Sequence, residues 1–325
     1  MSTLDLSSET TRRLHGRRVH LGDLLLQGIA GLAALAALVV IGLIVWKVID
    51  GARESLSRFG LGFVTTVAWD PVHNLFGAGS FLYGTALTSL IALLLAGPLA
   101  MGIALFLTEL APRWIQAPVT ALVETLAAIP SVVVGLWGIL VLAPTLRDHV
   151  EPFLHRTFGF IPLFGNPQTG HDIFTAVIVL TIMILPIVSS ISRELFLGVP
   201  SELKEAALGL GTTRWEMVRG VMFPYARGGI AAALILGLGR AVGEAIAVTQ
   251  VIGGFVGTPV NLFSAGDTLA SKIASEYQGA ATNLETSALI HLALILLVFS
   301  LLVNVFAQVI VRSVARRQGL TGVRR

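Results

Sequence analysis

Six windows of this chain are apolar and about as long as a bilayer core is thick: 24–46, 81–107, 125–146, 173–191, 228–256 and 286–311. A hydrocarbon core of roughly 30 Å is crossed by about 20 helical residues. Inside it a helix satisfies its own backbone polar groups. Five of the windows hold no Asp, Glu, Lys or Arg, and the fifth in order holds one Arg and one Glu. Pro98, Pro130, Pro144 and Pro186 fall inside windows, which lipid-embedded helices tolerate because neighbouring helices re-satisfy the freed carbonyls. The reading is an all-α, polytopic membrane protein of six transmembrane helices. The first window follows about twenty polar residues without a small-residue cleavage pattern, so a retained helix is expected rather than a signal peptide.

Composition agrees. Only 13% of residues are charged and the mean hydropathy is +0.83, against about 25% charged in soluble domains. A formal net charge of +3 is too small to indicate nucleic acid as a partner. The absence of cysteine excludes disulfides, thiolate metal sites and cysteine nucleophiles.

The cations set a topology. Fifteen Lys or Arg fall in the two tails, the second connection and the fourth, against six in the other three connections, with Arg240 left inside a window. Both termini are therefore expected in the cytoplasm. The organisation reads as a tail over 1–20, a first transmembrane helix over 21–58, a core over 80–314 and a tail over 315–325. Trp46 and Trp69 are expected at the membrane interfaces, and Asp70 and Glu276 are candidate contacts for an external partner.

The longest cytoplasmic connection, 199–229, reads "VPSELKEAALGLGTTRWEMVRGVMFPYARGG". Ser201 is suited to cap one short helix, and Gly211 to the left-handed position that closes it. Thr213 and Glu216 have capping-box spacing for a second helix, which Pro224 is expected to end. The segment is too polar for lipid and too regular for a slack loop; a solvated surface helix is the alternative.

"GLGRAVGEAIAV", 237–248, places Arg240 and Glu244 four residues apart in apolar surroundings. On a continuous helix they would share a face, with Arg240 about 18 Å in from residue 228 and near the midplane. A charge at that depth costs some 2.5–3.5 kcal/mol and marks a functional site by default. Arginine's planar fork suits a tetrahedral oxyanion, and Glu244 would neutralise it between substrates. The alternative is an ion pair that only packs. Gly237, Gly239 and Gly243 would let helices approach closely here. Pro130, Ser131 and Gly135 are expected to bend the third helix, Glu124 to snorkel or pair with Arg113, and His149 and His155 to be solvated loop residues.

The stretch "EAALGLGTTRWEMVRGVMFP" resembles the EAA loop of ABC-importer permeases, with Glu205, Ala206, Ala207, Gly211, Val221, Phe223 and Pro224 on its pattern and Phe in place of the usual Leu before the proline. "WDPVHNLFGAGSFLYGT", "ETLAAIPSVVVGLWG" and "LGLGRAVGEAIAVTQVIGG" extend the resemblance to the C-type permease subunits of phosphate-specific ABC transporters, over about residues 20–315. The resemblance implies a type I importer permease, with Glu205, Ala206, Ala207 and Gly211 coupling it to a cytoplasmic ATPase dimer. It also implies an A-type permease partner, an external phosphate-binding protein, alternating access, and no cofactor on this chain. The absence of a Gly-Lys dipeptide removes any P-loop, so ATP would be bound and hydrolysed by the partner and the chain is not itself an enzyme. Sulfate or molybdate import, an ATP-independent anion transporter or channel, and a phosphate-status sensor are the other readings considered.

Overall fold

The structure, a computed structural model, describes residues 21–316. It is helical, and among the described residues β-structure is confined to two isolated bridges. Among the described residues six helical segments are long and apolar enough to cross a membrane. The chain divides into two compact units, one up to Asp50 and one from Gly51 onward.

The described part of the first unit is the helix α1 (Leu21–Gly51) up to Asp50, uninterrupted, with the Lys47 ammonium 5.0 Å from the ring centre of Trp46. The helix expected over 21–58 therefore ends at Gly51, and the short α2 (Arg53–Phe59) and α3 (Gly62–Thr65) follow separately. The N-terminal tail and residues 317–325 lie outside the described residues.

In the second unit α4 (Gly79–Leu105) is the second span, and a π-turn over Phe106–Leu110 lengthens it. Its buried face is almost all small: Gly84, Ala92, Ala96, Gly97, Ala100 and Ala104. In lipid, where apolar surface alone drives little association, such a stripe lets two backbones approach. α5 (Arg113–Ala128) follows and buries no residue within this chain.

Here the structure departs from the sequence reading. The window over 125–146 is not one bent helix. The chain leaves helical geometry at Ile129 (φ −68°, ψ 127°) and Pro130 (φ −58°, ψ 137°), and a new helix, α6 (Ser131–Trp137), begins. π-turns and short helices, α7 (Ala143–Thr145) and α8 (Glu151–Phe158), continue it, so the third span runs Ser131–Phe158. A residue before proline is disfavoured in the helical region, and the β-branch of Ile129 adds to that bias. His149 and His155 consequently lie on this helical run, where His155 Nδ1 is 2.9 Å from the carbonyl of Phe164.

The most buried span is α9 (Ile173–Leu197), capped by Asp172, whose carboxylate accepts from the Thr175 amide at 2.8 Å. After it come α10 (Ser201–Gly209), α11 (Arg214–Met217), α12 (Phe223–Gly243), α13 (Ile246–Val251), α14 (Leu269–Glu276) and α15 (Asn283–Arg316).

Three clusters hold the second unit together. The largest centres on α9, with α4, α6, α12 and α13 around it. A second, at the end carrying α10 and α11, gathers Ala104, Phe196, Met217, Met222 and Ile230. A third, at the opposite end, joins Phe63, Trp69, Phe76 and Phe81 to Leu269 and Leu289. Trp69 is thus a core residue rather than an interfacial anchor. Its indole donates to Glu276 Oε2 at 2.9 Å, and the Lys272 ammonium, ion-paired to Glu276, lies 5.4 and 5.3 Å from the ring centres of Trp69 and Phe81.

Two glycines show how tight these contacts are. A Cβ on Gly84 would stand 1.9 Å from the carbonyl oxygen of Asp267, and one on Gly135 would stand 2.8 Å from the Cα of Ala247. In each case the opposing atom is backbone, so relief requires an element to move. Gly84→Ala and Gly135→Ala are each expected to cost about 1–3 kcal/mol, the usual penalty of overpacking. Gly102, where a Cβ would meet nothing within 4 Å, is the control, with Gly102→Ala expected within about 0.5 kcal/mol of wild type. Thermal unfolding of the three variants in detergent checks this.

Candidate functional site in the fifth span

α12 ends at Gly243, and Glu244 is extended (φ −74°, ψ 121°) before α13 begins. The expected continuous helix over 228–256 is therefore two helices with a break between the two charges. Arg240 lies in the last turn of α12, where the negative end of the helix dipole favours a cation. Glu244 stands beyond that end, and its Oε1 accepts from the amide of Ala247 at 3.3 Å, one of the donors freed at the start of α13.

The charges still meet, but loosely. Arg240 Nη2 is 3.9 Å from Glu244 Oε2, with 41% of the Arg240 side chain exposed and 9% of the Glu244 side chain. That separation is beyond a hydrogen bond. Glu244 is already engaged with the α13 backbone, so it offsets the charge of Arg240 without covering its donors.

Arg240 lines two hollows. One, of about 540 Å³, is bounded by Ile187, Ile235, Leu236, Gly239, Gly243, Glu244 and Asn304. The other, of about 110 Å³, is bounded by Leu126, Ala127, Ile129, Val134, Ile182, Met183 and Ile187. A Cβ on Gly239 or Gly243 would meet nothing within 4 Å, whereas one on Gly237 would come within 2.7 Å of Ile184. Of the three glycines only Gly237 serves close helix approach in this chain; Gly239 and Gly243 keep the wall beside Arg240 low. A cation whose side-chain donors make no hydrogen bond among the described residues, beside hollows lined mainly by aliphatic residues, is suited to a multiply accepting anion.

The second group of sequence-derived residues lies at the other end of the same span. Gly211 has φ +87°, the left-handed geometry that closes α10, and Thr213 with Glu216 forms a complete capping box on α11. Glu205 and Ala206 are exposed and Ala207 is half-buried. Two details differ from expectation. Ser201 makes no cap bond, because Pro200 occupies the cap position and Ser201 is already helical. Pro224 does not end a helix: a π-turn over Val218–Met222 leads straight into α12, with the proline as its second residue. The fifth span accordingly runs from Arg214 to Gly243 without interruption. Leu210 and Trp215, beside the Gly211 turn, are exposed by 86% and 64%.

Glu124 is exposed on α5 and has no ion pair with Arg113. Asp70 caps its own turn through Val72 and His73, and Glu276 is held by Trp69 and Lys272.

Sequence reasoning passed over two features. Asn304, beside Arg240, lies in line with Ser300 and Gln308 at four-residue spacing on a mostly apolar helix, and that polar stripe is a usable signal. The other is a polar pocket of about 460 Å³ lined by Thr169, His171, Thr249, Gln250, Gly253, Gly254, Asp267, Ser271 and Ser275. No spacing announces it, since its residues come from the connection before α9, from α13, from the loop after α13 and from α14. Gly253 and Gly254, at φ +90° and +71°, make the turn that shapes it. Asp267 is 3% exposed, and burial pushes its carboxyl up to about 6, against the hydrogen bond from Ser271 and the charge of Lys272. Among the described residues no three metal-ligating side chains converge.

Residues 96–316 match the family described as "Binding-protein-dependent transport system inner membrane component". The chain is 42% identical over 307 residues to the "Phosphate transport system permease protein PstC" of Mesorhizobium japonicum, covering 93% of this chain and 94% of that protein. It is 43% identical to the "Phosphate transport system permease protein PstC 2" of Mycobacterium tuberculosis, covering 89% and 91%. Among solved structures it resembles a bacterial alginate ABC transporter in complex with an alginate pentasaccharide-bound periplasmic protein. That likeness has a TM-score of 0.60 at 17% identity over 90% of this chain and 97% of the other. The MetNI methionine ABC transporter in an inward-facing conformation gives 0.51 at 20% identity, over 71% and 93%. These structural likenesses carry the fold.

The buried carboxyl of Asp267 gives the fold a pH dependence. Unfolded, it ionises near 3.8; folded, near 6. Its contribution is fully present below the unfolded value and falls as pH rises through that window, because ionising it in place costs more than in water. Asp267→Asn is expected to flatten the stability profile between about pH 4 and 6 and to raise the unfolding midpoint at pH 7.5 by a few degrees. Unfolding scans of both proteins across that range check it.

Proposed function

The chain belongs to the family of binding-protein-dependent transport system inner membrane components, a multi-pass inner-membrane family, and from that premise we propose that it is the permease subunit of an ATP-driven phosphate importer. The observation that carries the chemistry is Arg240, a cation in a membrane span that lines two hollows and whose one ion-pair partner among the described residues, Glu244, stands 3.9 Å away. Two relatives about 40% identical over nearly their whole length bear the name of a phosphate transport permease, which supports phosphate over sulfate or molybdate.

In this reading both termini are cytoplasmic and α10 faces the cytoplasm. The ATPase dimer docks at Glu205, Ala206, Ala207 and the Gly211 turn, where exposed Leu210 and Trp215 supply apolar anchors. An A-type permease completes the pathway, and an external binding protein delivers the anion. Phosphate displaces Glu244 from the field of Arg240, and Glu244 accepts a hydrogen bond from the protonated oxygen of the monobasic anion. Fully ionised sulfate cannot donate that bond. This chain binds no ATP; closure of the partner ATPases drives alternating access.

The test is uptake of labelled phosphate at micromolar concentration in a strain lacking the chain, with labelled sulfate alongside. The wild-type chain is expected to restore phosphate uptake alone. Arg240→Gln is expected to reach the membrane and assemble normally, yet to lower uptake more than about tenfold, at least ~1.4 kcal/mol of lost stabilisation. Full uptake by that variant would remove Arg240 from the pathway. Restoration of sulfate uptake instead would move the site to another oxyanion.

A further inference from the structure

The helix assigned to ATPase docking is held to the membrane body by strikingly few interactions for an element that must transmit force, and one of them is an ion pair. α10 buries no residue. Ala207 is partly packed against the cluster around Met217 and Met222. Among the described residues, the one side-chain hydrogen bond from α10 to a neighbouring span is Lys204 Nζ to Glu109 Oε1, at 2.6 Å, with each side chain 19% exposed.

Glu109 is itself placed unusually. It belongs to the π-turn over Phe106–Leu110 that ends the second span. The same residue is held a second time, because Arg214 Nη1 approaches its backbone carbonyl at 3.4 Å. Lys204 and Arg214 lie on either side of the Gly211 turn, one on α10 and one at the start of the fifth span. Both arms of the turn therefore converge on one residue of a different span.

We propose that Glu109 and Lys204 form a strut through which movement of α10 is passed to the second span as well as along the fifth, making them positioning residues for coupled transport. The inference rests on the reading above that α10 docks on an ATPase. A short, charge-assisted bond shielded from most solvent is strong for its size, and screening by salt is weak there. The contact is a single cation–carboxylate bond on a long, flexible stem, which either lysine or arginine can keep while the helix tilts. A bridge serving only stability would instead lower the amount of working complex and leave the stoichiometry of each working copy unchanged.

The test uses the assembled transporter in vesicles with its external binding protein, measuring ATP hydrolysed and labelled phosphate taken up by the same preparation. Lys204→Gln and Glu109→Gln are each expected to hydrolyse ATP within about twofold of wild type while uptake per ATP falls about fivefold or more, the lower end of typical coupling effects. The reversed pair, Glu109→Lys with Lys204→Glu, is expected to recover at least about half of the lost ratio. Lys204→Arg keeps the charge and is expected to stay within about twofold of wild type. It carries the test should the neutral variants fail to assemble, since a loss of coupling there overturns the strut. An unchanged ratio in the neutral variants also overturns it, as does uptake falling in proportion to hydrolysis, or a reversed pair no better than either single change. Wild-type uptake without ATP hydrolysis would refute the ATP-driven reading itself, a result separable from these because it needs no variant.

Discussion

The close approach of α6 to α13 is the constraint on which the site depends. Each follows a break in the helical backbone, at Ile129–Pro130 and at Glu244–Ala245. A break inside a membrane frees amide and carbonyl groups that lipid cannot satisfy, so it is tolerated where protein or a water-lined cavity covers it. Gly135 removes the side chain that would hold the two segments apart, and Gly138 does the same a turn further along, where a Cβ would stand 2.9 Å from Val251. With those glycines present the broken segments support one another, and Val134 and Ala247 enter the same buried cluster. Without that contact there would be no fixed end to α12, and Arg240 would have no defined surroundings.

The break also alters the electrostatics. On one continuous helix, an Arg followed four residues later by a Glu forms a local pair in the weaker of the two orientations, and burying it adds little net stability. Ending the helix between them gives each charge a separate backbone role. Arg240 lies at the negative end of α12, while Glu244 accepts an amide at the start of α13. Each is partly offset by peptide dipoles, so the attraction between them need not close to a hydrogen bond. That leaves the guanidinium donors available towards the hollows, and two side-chain-free glycines keep the larger hollow open beside it.

Much of this was legible in the sequence, for definite reasons. Six spans follow from length and apolarity, which lipid enforces on any chain. The Gly211 turn and the Thr213–Glu216 capping box are local chemistry and depend on nothing distant. The breaks were not legible, because proline alone does not decide them. Pro98 and Pro186 lie inside unbroken helices while Pro130 starts a new one. The first two sit in helices packed along most of their length against α9 or α4, which compensates the lost amide. Packing alone does not decide it, since Pro118 lies inside α5, which buries nothing within this chain and stays helical; at Pro130 it is Ile129, the residue before the ring, that has left the helical region. Trp69 misled for a related reason: an aromatic near the end of an apolar run reads as an interfacial anchor, and only the fold shows Glu276 waiting for its indole proton.

The two candidate regions are ends of one rod. Arg214, in the Gly211 turn region, and Arg240 belong to the same uninterrupted span, whose 30 residues extend about 45 Å at 1.5 Å per residue. A helix of that length packed against α9 transmits displacement along its axis with little loss, because cores have low compressibility. Its one irregularity is the π-turn over Val218–Met222, next to the proline whose missing amide would otherwise leave a carbonyl unpaired. That turn is where the rod can change direction without breaking its bonding, since the extra residue already loosens the helical repeat. Push applied at α10 would then reach Arg240 as a shift of the α12 end relative to α13, on the far side of a break that absorbs the difference. The residue proposed to meet the anion and the segment proposed to meet the ATPase are thereby linked by covalent structure, with the packing of α9 as the reference against which the rod would move.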